Sequence, residues 1–189
     1  YRKLPASFGG HLIRVKVEEL KNQVSGEILE THSPDNEAIH QAKAFVLDWF
    51  DLNRDLAPFY EIGQEDALLS SAVKANRGLR IVGVPDLLEC MAGTIIGQQV
   101  NVTFAYTLKN RLIEQYGDSR SWQDHTFWRF PKAEILASLQ PEVLRPLSIS
   151  QRKAEYVIGF ARLIAEGKIS KESLQGFETA EEASKALTD

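Results

Sequence analysis

Cysteine is nearly absent, with Cys90 the single one in 189 residues. One thiol gives no internal disulfide framework, and a cysteine-only metal or iron–sulfur site is excluded within these residues. Next to apolar neighbours, Cys90 reads as a small buried side chain rather than a nucleophile. Long apolar runs are missing too. No stretch approaches the ~20 residues that span a bilayer, and the opening YRKLPASFGG lacks the apolar middle of a signal peptide. The expectation is a soluble, cytoplasmic protein with no membrane partner. GxGxxG, Walker and GxSxG patterns do not occur. The histidines His11, His32, His40 and His125 are scattered, with no carboxylate or cysteine at a metal-ligand spacing. No metal and no cofactor are expected. Carboxylate pairs at Glu18-Glu19 and Glu181-Glu182 consist of adjacent residues, which point apart on a strand or a helix. Composition and spacing alone name no catalytic residue.

Positive charge is also scarce. The formal net charge of −4 argues against a general nucleic-acid binder. The average conceals a gradient. Residues 1–76 hold 8 basic and 12 acidic side chains, 77–144 hold 7 and 7, 145–171 hold 6 and 2, and 172–189 hold 1 and 5. Charge by itself makes the basic stretch an ordinary solvated helix face.

What the chain does have is enough apolar residue, 43% by count, to bury a core as one domain or one and a half. His11 to Val17 alternates apolar and basic residues as a half-buried strand does, and Val24 to Glu30 suggests a second short strand. Ala38 to Leu52 sets Ile39, Ala42, Phe45, Val46 and Trp49 on one helical stripe, and Asp66 to Ala75 resumes helical spacing. Asp118 to Phe130 reads as irregular, its Trp122, Phe127 and Trp128 better suited to plugging a core than to stacking on a ligand. Pro131 and Pro141 can each open a short helix. The clearest helix starts at Ser150 as N-cap and carries Ala154, Val157, Ile158, Ala161, Ile164 and Ala165 on one face, with Arg152, Lys153 and Arg162 opposite. A last helix opens on a capping box at Thr179, and because its apolar face has only begun at Asp189, a piece of a longer protein is expected.

The stretch around which the chain is organised is Pro85 to Tyr116. Leu88, Met91, Ala92 and Ile95 form the stripe of one helix, Phe104, Ala105, Leu108 and Leu112 that of a second, with Asn101 as its N-cap and Gly117 at its end. They meet at Gly97-Gln98-Gln99. Two long amides at a tight turn have no packing task, since buried they would need several partners. They are expected to face outward. Glutamine can hydrogen-bond base edges, so a nucleic-acid probe is one account, and from the residues alone a plain polar turn is the leading one.

The segment RGLRIVGVPDLLECMAGTIIGQQVNVTFAYTLKNRL, residues 77–112, resembles the helix-hairpin-helix DNA glycosylases, specifically the alkylbase (3-methyladenine) DNA glycosylase II family. There a Gly-Leu-Arg segment leads into a helix, a Gly-Gln-Gln-type corner follows, and small and apolar residues such as Ala105 and Leu108 line the next helix. Leu147-Ser148-Ile149-Ser150-Gln151-Arg152-Lys153-Ala154 is similar to a second family helix start, with Ser148 where glycine is usual. FVLDWFDLNRDLAPFY is similar to the end of the family's small TATA-binding-protein-like domain.

The resemblance implies an α+β, predominantly α-helical chain. Residues 1–63 would be the remnant of the small N-terminal α/β domain and residues 64–189 the helical glycosylase domain, incomplete at its C-terminus. It implies a DNA-repair enzyme, a monomer associated with the bacterial nucleoid, that flips alkylated bases out of double-stranded DNA and excises them hydrolytically. Gln99 takes the intercalating position, often leucine in the family. Gln98 is its neighbour at the lesion, and Gly97 and Asn101 complete the DNA-binding corner. No catalytic residue falls in this chain: the family's glycine-rich hairpin and sugar-stabilising aspartate lie downstream of Asp189, and these 189 residues are expected to be inactive. The alternatives are an oxidised-base glycosylase of the same superfamily, with a lysine nucleophile in that hairpin, and a non-catalytic helical module that binds DNA or protein.

Overall fold

In the computed structural model, which describes residues 2–4, 13–18, 23–28, 35–122 and 124–188, the apolar–basic alternation around Arg14 and Lys16 folds as the middle strand of an antiparallel sheet. Strands β1 (Arg2–Leu4), β2 (Ile13–Glu18) and β3 (Gln23–Ile28) lie in sequence order, with Leu4 opposite Ile13, Ile13 opposite Ile28 and Val17 opposite Val24. Both expected strands are present. His11, Leu12, Leu29 and Glu30 lie outside the described residues. By contacts the chain divides into two units, Tyr1–Pro85 and Asp86–Asp189.

In the first unit, helix α1 (Asn36–Trp49) is capped by Asp35, whose carboxylate accepts the Ala38 N–H at 2.7 Å. The expected stripe is shifted. Ala38 and Trp49 are buried, whereas Ile39 is 46% exposed. At 3.6 residues per turn Ala38 falls about three whole turns before Trp49 and so lies in line with it, while Ile39 is turned about 80° away. Helices α2 (Ala57–Glu65) and α3 (Ser70–Ala75) follow. The segment after α3 is held by Arg80, whose guanidinium donates to the carbonyls of Asp51 and Arg54, and by the Gly78 N–H, which donates to the Tyr60 hydroxyl at 2.8 Å. A cavity of about 720 Å³ lies between these segments, lined by Phe59, Tyr60, Val73 and Leu79 among others.

The second unit is built on α7 (Gln151–Ala165). Its Ala154, Val157, Ile158 and Ala161 are at most 1% exposed and share one core with Ala92 and Ile96 of α4 (Leu87–Gly97) and Leu108 and Leu112 of α5 (Val102–Tyr116). Leu136 of α6 (Ala133–Ala137), Leu144 of a 3-10 helix (Pro141–Leu147) and Ile149 complete it. Helices α8 (Lys171–Gln175) and α9 (Ala180–Thr188) follow, with Leu174 and Leu187 against this core. Among the described residues no helix is long and apolar enough to cross a membrane.

Two expectations need correction here. Cys90 is exposed, not buried. The buried residues Leu88, Ala92 and Ile96 recur every four positions, and Cys90, two from each of the first pair, faces roughly the opposite side of the helix. Asp118 to Phe130 is not irregular but a hairpin, β4 (Asp118–Trp122) paired with β5 (His125–Arg129), with an Asp118–Arg129 ion pair at its open end. Its link lacks the Asn-Gly or Asp-Gly signal that announces a tight hairpin. Phe130 packs against the core, Phe127 is half-buried and Trp128 is 41% exposed, while the side chain of Trp122 lies outside the described residues.

Gly117 joins α5 to this hairpin in an extended conformation, φ −76° and ψ 175°, so its glycine is required by crowding rather than by a left-handed backbone. A Cβ there would collide with the carbonyl oxygens of Ile113 and Arg129. Gly159, inside α7, has nothing within 4 Å of an added Cβ. Urea unfolding of the intact protein should therefore show Gly117→Ala destabilised by about 1–3 kcal/mol. Gly159→Ala should be stabilised by about 0.5–1 kcal/mol.

Candidate nucleic-acid interface

The corner between α4 and α5 is assembled from caps. Asp86 opens α4, its carboxylate accepting the Glu89 N–H at 2.7 Å, and Asn101 opens α5 by accepting the Phe104 N–H at 2.8 Å. Between these helices Gln98 is extended, with φ −62° and ψ 136°, and Gln99 is left-handed with φ +59°. That pair of conformations reverses the chain in the four residues from Gln98 to Asn101. Both glutamine side chains are exposed and Gly97 is half-buried. A Cβ on Gly97 would meet only the Ala105 methyl at 3.7 Å, an ordinary contact, so space does not dictate glycine there. An ion pair between Lys109 Nζ and Glu89 Oε1, at 2.6 Å, ties the two arms together.

Residues outside the corner fix its position. Lys153, in the first turn of α7, donates from Nζ to the carbonyls of Ile96 at 2.8 Å and Gln98 at 2.7 Å. At the start of α7 Ser150 Oγ accepts the Lys153 N–H at 3.4 Å, and Arg111 of α5 donates to Ser148 Oγ at 3.0 Å. Ser148 is left-handed, φ +66°, the backbone that glycine would adopt most easily, and the Arg111 bond holds a serine in it. By spacing alone Lys153 belongs to a solvated helix face and Arg111 has no evident role. Neither long-range bond leaves a mark in local spacing.

The basic stretch is thus only in part a solvated surface. Lys153 meets α4 carbonyls, Arg162 donates to the carbonyls of Ala137 and Leu139 at 3.1 and 3.3 Å, and Lys168 pairs with Glu166 at 2.7 Å. Arg152 is exposed, its guanidinium 5.7 Å from the Tyr156 ring centroid and its Nε 3.3 Å from the Tyr156 hydroxyl. That hydroxyl contact favours the charged form and raises the Arg152 pKa. The carboxyls of Glu166, held low by its bond from Lys168, and Glu172, held low by its own backbone N–H and the Ser170 hydroxyl, are open to solvent on and beyond the last turn of α7. They have the surroundings of surface anions, not of a buried acid or base. Val102, Phe104 and Tyr106 add exposed apolar surface on α5 beside the glutamines.

This geometry can present two amides on a rigid outward corner, flanked by apolar and aromatic side chains, with a cation behind it rather than in front. Residues 92–186 match the family described as HhH-GPD superfamily base excision DNA repair protein, and residues 6–91 match the 8-oxoguanine DNA glycosylase N-terminal domain. A DNA-3-methyladenine glycosylase of Bacillus subtilis is 37% identical over 163 residues, which cover 86% of this chain and 54% of that protein. The chain thus spans about half the length of that relative. Among solved structures, a 3-methyladenine DNA-glycosylase from Archaeoglobus fulgidus superposes with a TM-score of 0.77 at 23% identity, over 98% of this chain and 61% of that one. The apo 8-oxoguanine glycosylase/lyase of Clostridium acetobutylicum does so at 0.71 and 19%, over 98% and 64%. At such identities the superpositions speak for the fold, the mostly helical architecture expected from the sequence. On the match of its corner, α5, hairpin and α7 to the family, the chain belongs to the HhH-GPD superfamily of base excision DNA repair proteins.

Proposed function

We propose that the full-length protein removes alkylated, 3-methyladenine-type bases from double-stranded DNA, and that Gly97 to Asn101 is the element it inserts at the lesion. The observation that carries this reading is the pair of exposed amides, Gln98 and Gln99, on a corner with both flanking helices capped and its carbonyls tied to α7. The 37% identity to a glycosylase of that specificity supports the substrate. Flipping a base out of the stack costs a few kcal/mol, least when the base is damaged. Gln99 offsets part of that cost by occupying the gap, its amide able both to fill and to hydrogen-bond the orphaned partner base. Gln98 lies against the neighbouring base, Gly97 lets the strand approach, and Asn101 holds the start of α5.

The chemistry is hydrolysis of the glycosidic bond, in which water adds to the sugar carbon as the base departs. It calls for a carboxylate beside the developing sugar cation. Among the described residues no charged side chain is buried. We therefore assign that carboxylate to a part of the full-length protein other than these residues. No metal or cofactor is required for this route. The enzyme acts as a monomer on chromosomal DNA in the cytoplasm.

The match of residues 6–91 to an 8-oxoguanine glycosylase domain favours a second reading, excision of oxidised bases. Single-turnover assays on duplexes holding 3-methyladenine or 8-oxoguanine separate the two. Release of the alkylated base alone is expected, and release of 8-oxoguanine with a borohydride-trapped lysine adduct would establish the other. The 189 residues by themselves should release neither base. For the corner, Gln99→Ala in the full-length enzyme should weaken binding to an abasic-site duplex roughly tenfold more than binding to undamaged duplex, because only the former offers a gap to fill. Equal losses on both would remove the gap-filling role.

A further inference from the structure

We propose that Lys153 is a positioning residue for the lesion probe, setting through the backbone of α4 where Gln99 projects. The inference rests on the reading that Gln99 enters the gap. The last carbonyls of any α-helix lack intrahelical partners, and a cation near them is favoured by the helix dipole. One such oxygen of α4, Ile96 O, and the carbonyl oxygen of its extended C-cap residue, Gln98 O, converge on one ammonium at 2.8 and 2.7 Å. Ile96 O belongs to the peptide that enters Gly97 and Gln98 O to the peptide that enters Gln99, so the planes immediately before Gly97 and immediately before Gln99 are fixed from outside the helix. On the α4 side of the turn the corner's own bond is longer than either lysine bond, the Gln98 N–H reaching Ile95 O at 3.4 Å.

The next residue is Gln99 in the left-handed region, which a side chain with a Cβ enters only when its surroundings hold it there. One side of the turn is held by Asn101 at the start of α5. Lys153 supplies the other side, and it does so from a helix whose Ala154 and Val157 are completely buried. The probe is thereby registered to the core rather than to a mobile turn. With two of its three donors engaged on carbonyls, the ammonium is committed to the protein and not to a DNA phosphate. Lys153 touches neither base nor sugar in this account.

The test uses the full-length enzyme and the ratio of its affinity for an abasic-site duplex to that for undamaged duplex. Lys153→Met should lower that ratio roughly threefold to tenfold, as expected for losing charge-assisted bonds that order one conformation, while undamaged-DNA affinity stays within about twofold. Lys153→Arg, which keeps a charge and several donors, should retain most of the preference. In the Gln99→Ala background, Lys153→Met should cost nothing more, because the probe through which it acts is already gone. Should Lys153→Met fail to fold by thermal unfolding, Lys153→Gln carries the same comparison. Equal losses on both DNAs with a shallower salt dependence would make Lys153 a phosphate contact and overturn the inference. Additive losses in the double variant would overturn it as well. If Gln99→Ala lowers the ratio and Lys153→Met does not, the inference fails alone. If Gln99→Ala leaves the ratio intact, the probe reading fails and the inference with it.

Discussion

A helix that ends inside a folded unit leaves its last carbonyls without partners, and at the end of α4 the oxygens of Ile96 and of the cap residue Gln98 find the Lys153 ammonium at 2.8 and 2.7 Å. The arrangement of the second unit follows from meeting that requirement. For the lysine to be there, α7 must start at Ser150 and bury Ala154, Val157, Ile158 and Ala161. For α7 to start there, the chain must turn through Ser148 in a left-handed conformation that Arg111 stabilises. The same core side chains bury Ile96 at the end of α4 and Leu108 in α5, so the two arms of the corner and the helix that steadies it rest on one apolar cluster. What remains outside is a short turn with two exposed amides.

Charge is distributed to suit that arrangement. The net charge is −4, and inside the basic stretch Lys153 and Arg162 meet carbonyl oxygens while Lys168 meets Glu166. Binding in the proposed function therefore depends less on a field that attracts phosphates than on a shaped element that finds a place where a base has left the stack. That division fits an enzyme that has to prefer rare damaged sites over a large excess of intact duplex.

Much of this was legible in the sequence because it rests on local rules. Period and caps gave α1, α4, α5 and α7, and the polarity of Gln98 and Gln99 between two apolar helices marked the corner as outward. The errors have equally local causes. A stripe drawn through Ile39 was one residue off the line joining Ala38 and Trp49. Cys90 has apolar neighbours in sequence, but helical geometry turns it away from Leu88 and Ala92. The hairpin of Asp118 to Arg129 depends on pairing across a link with no tight-turn signature, and on Gly117 admitting the carbonyls of Ile113 and Arg129. Lys153 and Arg111 were out of reach for a different reason. Their partners lie 57 and 37 residues away in sequence, and a basic residue that caps a distant carbonyl has the same spacing as one that points into water.

In the proposed function Gln99 leaves its solvent-exposed position and fills the gap of a damaged duplex while the backbone beneath it stays tied to α7. The most direct measurement is the structure of the full-length enzyme bound to a duplex carrying a stable abasic-site analogue. The Gln99 amide is expected inside the base stack opposite the orphaned base, with Lys153 still on the carbonyls of Ile96 and Gln98. A complex in which DNA is engaged through another surface and Gln99 stays in solvent would contradict it.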